Sequence, residues 1–250
     1  MSSILELIKQ RQSARATFDP QRPVGNDDLA EIVEAARWAP TAHNMQNFEI
    51  LIVDDPVVLK KIGQIKGSLS ADFLRENYRQ TSFSEKEFLQ KKVGALCTDF
   101  PPDWLDMAKV DEVVRRGPSS LEFLIRGSPT LLIVTWDPRQ RAPNPGGHLT
   151  TPCDDLSMMS LGCVMENMWL MAQSLGIGFT IMIFFSEKQI ESDLRQALGI
   201  PEHLKIAFAA RLGYPVTNSR YIRVRRDQET FIHHNQYGNR GLDRSPITRS

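Results

Sequence analysis

The sequence predicts a mixed chain in which helices and strands alternate around one core. Four runs carry that expectation: "FEILIVDD", "PTLLIVTWD", "FTIMIFF" and "KIAFAARLGYP" have the length and the β-branched, apolar composition of buried strands. Between them lie stretches with helical apolar spacing and recognisable caps. With 250 residues, 41% of them hydrophobic, the chain can bury a sizeable core. No internal repeat or linker divides it into independent domains.

Taken in order, Ser2 or Ser3 can cap a first short helix, "ILELIKQ". Asn26 reads as the cap of "DDLAEIVEAARWA", with Asp27 and Asp28 in its first turn and an apolar stripe at Leu29, Ile32, Val33 and Ala36. Pro40 closes it. A strand follows over Phe48 to Asp55, and Pro56 starts a helix through Ile62. Further on, "SEKEFLQKKVGALC" reads as helix and "DFPPDWLDM" as a loop with apolar anchors. The second strand spans Pro129 to Asp137. A proline- and glycine-rich loop then leads into "DLSMMSLGCVMENMWLMAQSLG", which is apolar nearly all round and ends at Gly176. Such a helix is expected to be buried on most sides. The third strand, a helix capped by Ser186, and the fourth strand complete the order, with "RYIRVRRD" a candidate fifth strand. The segment after Phe231 is polar and is expected to be extended.

Charge excludes some classes. Lys and Arg number 30, as do Asp and Glu, so no global field favours nucleic acid or an anionic membrane. No apolar run approaches the roughly 20 residues a membrane span needs. The first residues lack the pattern of a secretory signal. Cys97, Cys153 and Cys163 form no CxxC pair and are odd in number. A reducing, cytoplasmic setting with cysteines as small buried hydrophobes is the expectation.

Sites built from glycine backbone or metal ligands find no support. There is no GxGxxG between strand and helix and no GxxxxGK[ST]. His233 and His234 adjoin without a third ligand nearby. The stretch "RQSAR", Arg11 to Arg15, is different. On a helix Arg11 and Arg15 share a face; in extended chain Arg11, Ser13 and Arg15 do. Two guanidinium forks and a hydroxyl suit a phosphate group, although solvated surface arginines would look the same. Arg223 and Arg225, two apart in "YIRVRRD", form a second set, which also suits a charged edge strand.

With "RQSAR" first, then "AARWAPTAHNMQNFEILIV", "GCVMENMWLMAQSLGIG", "LGYP" and a late "RVRR", the chain resembles the FMN-dependent nitroreductase family in motif order. The resemblance implies an α+β sandwich with a mainly antiparallel central sheet flanked by helices. It implies an intertwined homodimer with FMN at the interface. One FMN-binding domain would span 1–232, with an insertion about 66–125 and an extended tail over 233–250. Arg11, Gln12, Ser13 and Arg15 would hold the phosphate and ribityl chain, with Arg223 and Arg225 closing the site. Pro40, Thr41, Ala42, Asn44 and Gln46 resemble the family's Pro-Ser-x-x-Asn loop, which approaches the flavin from the other subunit. Met182 and Ile183 lie where a backbone N–H faces flavin N5. His43, Trp104, Phe123 and Phe184 are substrate candidates. The implied activity is two-electron, ping-pong hydride transfer from NAD(P)H through the flavin to a small aromatic or conjugated acceptor, such as a nitro compound or quinone. Alternatives on the same fold are reductive dehalogenation, ene reduction, substrate oxidation, or flavin storage without turnover. Two departures stand out: Ala16 and Thr17 separate Arg15 from Phe18 where one residue is common, and "TIMIFF" replaces a small or acidic residue followed by glycine.

Overall fold

Ser3 caps the helix Ile4–Gln10 through a reciprocal bond with Glu6, the box that a serine three residues ahead of a glutamate predicts. That chemistry recurs at Ser84 and Glu87 for the helix Glu85–Lys91. Asp55 caps Pro56–Gly63, with the proline at the first helical position. Two expected caps move. The helix Asn26–Arg37 takes Gly25 as its cap, so Asn26 is already helical. The helix Lys188–Leu198 takes Glu187, and Ser186 lies outside the described residues.

The computed structural model describes residues 3–67, 72, 75–76, 82–96, 110–115, 119–140, 154–182, 187–217 and 222–240. The chain divides into two compact units, one of Met1–Gly67 and Ser119–Ser219, the other of Ser68–Pro118 and Arg220–Ser250.

The first unit is built on a four-stranded sheet ordered Phe48–Val53, Thr130–Trp136, Lys205–Gly213, Gly178–Met182, antiparallel throughout. The second strand is buried along its length. Alternation sends its side chains to two cores. Leu132, Val134 and Trp136 meet Leu29, Ile32 and Ala36 of one helix and Val164, Met168 and Ala172 of the long helix Asp155–Ser174. Leu131 and Ile133 meet Ile62, Ile125, Ile190 and Leu194 on the other face. The result is the expected α+β sandwich. Full burial of a Val, Leu, Ile or Met side chain in these cores contributes about 1.5–3 kcal/mol.

The long helix is covered on most sides, as expected. Its buried face is Leu161, Val164, Met168, Trp169 and Ala172 with Ser157 and Ser160, while Met158 and Met159 are exposed. Asp155 and Ser174 are exposed too, and the other positions are buried or half-buried. The helix Ile4–Gln10 buries nothing and exposes Ile4, Leu5 and Ile8.

In the second unit, "SEKEFLQKKVGALC" is helical only to Lys91. Lys92 and Gly94 take left-handed backbone (φ 56° and 82°), and Ala95–Leu96 then pairs in parallel with Ser82–Phe83. Lys92 Nζ meets Asp227 Oδ2 at 2.6 Å. Residues 222–227 form no strand: Ile222 is 42% exposed, so the alternating segment has no apolar face to bury. Residues 233–240 fold back on themselves, with His233 bridged to Arg240 and stacked on Tyr237 at 4.2 Å.

Candidate functional site

The helix Ile4–Gln10 stops at Arg11, whose backbone turns extended (φ −55°, ψ 129°). "RQSAR" therefore leaves the helix and passes beside the edge strand Gly178–Met182, with a tight turn at Ala14 where the Arg15 N–H donates to the Ser13 carbonyl at 3.1 Å. The Ala14 N–H donates to the Phe179 carbonyl at 3.1 Å. Thr180 Oγ1 donates to the Ala14 carbonyl at 2.6 Å. Trp169 Nε1 donates to the Gln12 carbonyl at 3.3 Å, and Arg126 Nη1 to the Arg15 carbonyl at 2.7 Å. The segment ends at Phe18, which is fully buried. A Cβ on Gly178 would stand 2.7 Å from the Phe18 ring and 2.9 Å from Ala14 Cβ. Only glycine lets the segment lie so close to the sheet.

This path separates the predicted side chains by environment. Arg15 is exposed; Ser13 and Gln12 are half-buried. Arg11 stacks over Trp169 with Cζ 4.3 Å from the ring centroid, and its Nε lies 3.2 Å from Glu166 Oε1. Residues 11–17 contain no acidic side chain. The segment thus presents guanidinium and hydroxyl donors on a backbone fixed by five elements of hydrogen bonding, counting the Arg211 contacts below.

Pro40 to Gln46 form a second ordered segment. His43, Asn44 and Gln46 all have positive φ (51°, 53° and 47°). Non-glycine residues there cost roughly 1–3 kcal/mol each, and such strain clusters at functional sites. Local bonds hold it. Ala42 N–H donates to Ser160 Oγ at 2.9 Å, Gln46 N–H to Thr41 Oγ1 at 3.2 Å, and Gln46 Nε2 to Asn44 Oδ1 at 3.0 Å. Asn47 is buried and donates to the Gln140 carbonyl. Asp137 anchors that turn, its carboxylate paired twice with Arg139 at 2.8 and 2.7 Å. The hydrogen bonds from Arg139 hold the Asp137 carboxyl far below the usual range.

Both segments rest on the long helix, at opposite edges of its buried face. Ser160 holds Ala42 and Trp169 holds Gln12. Two and a half turns separate these anchors, about 13 Å along the axis and on opposite sides. The two predicted sets therefore do not converge on one point within this unit.

The remaining candidates are dispersed. Met182 buries its side chain in the core with Ile62, Ile190 and Leu194, leaving only its backbone for a ligand. Arg223 and Arg225 belong to the second unit, and Arg225 Nη1 donates to the neighbouring Val224 carbonyl at 2.7 Å. His43 is exposed. Phe123 lies in the helix Glu122–Ile125. Ile183, Phe184, Trp104, Cys97 and Cys153 lie outside the described residues, while Cys163 is a half-buried free thiol. Among the described residues, no group of three or more His, Cys, Asp or Glu is arranged for a metal, and no helix is long and apolar enough to cross a membrane.

Sequence reasoning missed Arg211. It lies 2% exposed on the strand Lys205–Gly213, opposite Thr180 in the sheet. Its Nη2 donates to the carbonyls of Ala14 (2.8 Å) and Ala16 (3.0 Å), and its Nη1 to that of Ile125 (3.3 Å). Its guanidinium also faces the Phe18 ring at 4.5 Å. The signal was a charge inside an otherwise apolar strand, "KIAFAARLGYP".

A helix-flanked antiparallel sheet with an arginine-bearing segment on its edge defines the class, and comparison with known proteins agrees. Residues 8–214 match the family model described as "Nitroreductase family". The chain belongs to the nitroreductase family. It is 23% identical over 215 residues to a protein of Archaeoglobus fulgidus named "Putative NADH dehydrogenase/NAD(P)H nitroreductase", covering 86% of this chain and 87% of that one. Among solved structures, its fold is similar to that of a nitroreductase with bound FMN from Bacteroides fragilis. That likeness has a TM-score of 0.55 at 20% identity, over 94% of this chain and all of the other. A BluB-like flavoprotein from Clostridium difficile is also similar, with a TM-score of 0.59 at 20% identity and the same coverage.

Proposed function

We propose that this chain is an FMN-dependent NAD(P)H oxidoreductase of nitroreductase type, acting as a homodimer in the cytoplasm. The reaction would be ping-pong hydride transfer to a small aromatic or conjugated acceptor. The observation that carries the reading is the edge segment Arg11–Arg15, with an exposed Arg15 and a half-buried Ser13 on pinned backbone. Its donor set fits a terminal phosphate: guanidinium forks match phosphate oxygens in pairs, and a hydroxyl adds a third donor. Pinned backbone lowers the ordering cost of binding. Family membership and FMN in the solved relative from Bacteroides fragilis support the same cofactor.

When bound, FMN supplies the hydride and two-electron chemistry at N5, and no catalytic Ser, Cys or His is needed. In this reading Arg11, Arg15 and Ser13 hold the phosphate end, and Gln12 borders the ribityl chain. Backbone at Met182 and Ile183 would donate a hydrogen bond to the flavin ring. Pro40, Thr41, Ala42, Asn44 and Gln46 approach from a second copy. The opposite placement of the two segments on the long helix supports that last assignment, because one chain keeps them apart. Exposed Ile4, Leu5, Ile8, Met158 and Met159 give a second copy apolar surface to cover. His43, Trp104, Phe123 and Phe184 would contact the acceptor.

Purified protein is expected to be yellow and to release FMN on heating, and to consume NADH or NADPH steadily when a quinone or nitroarene is added. Colourless protein that ignores added FMN overturns the cofactor assignment. Bound FMN without sustained turnover would make the chain a flavin-storage protein.

A further inference from the structure

We propose that Arg211 is a positioning residue for anion recognition, setting the aim of Ser13 and Arg15 without touching the ligand. The inference rests on the flavin reading and adds a part that the motif resemblance does not contain. Each peptide unit is planar, so fixing the carbonyls of Ala14, Arg15 and Ala16 fixes the backbone from which the neighbouring side chains project. Arg211 fixes two alternate carbonyls, Ala14 at 2.8 Å and Ala16 at 3.0 Å, with one guanidinium nitrogen. Its other nitrogen reaches the Ile125 carbonyl, next to Arg126, whose own side chain holds the Arg15 carbonyl. The residues either side of Ala14 are the phosphate candidates Ser13 and Arg15. Rotation of this segment about its axis is therefore set from below by a planar fork that is 2% exposed.

The geometry suits arginine specifically. A planar guanidinium spans three carbonyls in fixed directions, whereas lysine offers one flexible donor centre. Thr180, the cross-strand neighbour of Arg211, bonds the Ala14 carbonyl as well, so that carbonyl keeps one partner when Arg211 changes. The expected consequence is a mis-aimed segment on a folded sheet, so that the loss falls on phosphate recognition.

The test compares FMN and riboflavin affinities of wild type, Arg211→Lys and Arg211→Met by flavin fluorescence, with thermal midpoints measured alongside. Riboflavin lacks only the phosphate. Arg211→Met is expected to weaken FMN binding about tenfold or more, a shift of one decade in Kd or greater, and riboflavin binding by much less. Arg211→Lys should recover part of the difference. If Arg211→Met does not fold, Arg126→Gln reads the same segment at the Arg15 carbonyl and should show a smaller split of the same sign. Equal losses for both flavins in the folded variants, or no loss for either, would overturn the positioning role. Wild-type protein that binds neither flavin overturns the flavin reading, and this inference with it, and that result shows before any variant is made.

Discussion

Arg11 Nε lies 3.2 Å from Glu166 Oε1, on the face of the long helix that also carries Trp169. A phosphate ligand must therefore share Arg11 with a carboxylate and tolerate that carboxylate's field. Glu166→Gln removes the competitor and the like charge. FMN affinity should rise several-fold, and the gain should shrink as salt is raised, because screening already weakens the repulsion. Riboflavin affinity should not change. Isothermal titrations at two salt concentrations check this, and unchanged FMN affinity at low salt would contradict it.

Phe18 sits between glycines, with Gly178 and Gly213 both too close to admit a Cβ. Gly178→Ala forces the Phe18 ring or Ala14 to move and should destabilise the fold by about 1–3 kcal/mol. Phe18→Ala leaves a cavity under the same segment and should cost about 3–5 kcal/mol. Denaturant midpoints measure both. The first variant should also lose FMN affinity, since Ala14 is the pivot of the arginine segment.

Asp137 ties the end of a sheet strand to Asn47, next to the strained segment 43–46. Arg139 depresses its folded-state pKa, so the pair's contribution is present above the unfolded value, near pH 4. It is lost progressively as the pH falls through that value toward the lower folded one. Asp137→Asn should therefore reduce stability at pH 7 and flatten the acid limb of the stability profile below pH 4. Thermal midpoints from pH 7 to pH 2.5 test the sign. A variant whose midpoint tracks wild type at all pH values would show that the pair contributes nothing.

The proposed homodimer makes a prediction about the first helix, whose Ile4 is 77% exposed and whose Ile8 is 44% exposed in one chain. Exposed apolar residues cost little as single substitutions in a monomer but a great deal at a buried interface. Ile8→Asp should leave the fold intact and shift the species in sedimentation from dimer toward monomer, with loss of FMN. A variant that remains dimeric would move the interface away from this helix.

The sheet and its helices were legible because periodicity and capping are local. Thr130 to Trp136 is so uniformly apolar that burial on both faces follows from composition. Ser3 and Ser84 carry a capping box in four residues each. The cap at Gly25 was not legible, since Asn26 is the better capping residue and only the backbone path decides between them. The segment 222–227 looked like a strand because its arginines alternate, yet a strand also needs a partner edge and a face to bury. At the candidate site, Arg11, Ser13 and Arg15 were visible as chemistry on one segment. Arg211 and Ser160 were not, because each acts on residues more than a hundred positions away. The opposite placement of the two candidate segments on one helix is likewise a tertiary fact, absent from any local pattern.

The most direct test of the phosphate assignment is the pair of titrations of Arg15→Ala with FMN and with riboflavin. Arg15 is the exposed guanidinium on a segment whose backbone is held by Arg126 and Arg211, so its removal should leave that backbone in place. A charge-assisted contact of this kind is worth roughly 1.5–3 kcal/mol, which is about 10–150-fold in Kd. The account predicts that loss for FMN and almost none for riboflavin. Equal losses for the two ligands, or no loss for FMN, would contradict it.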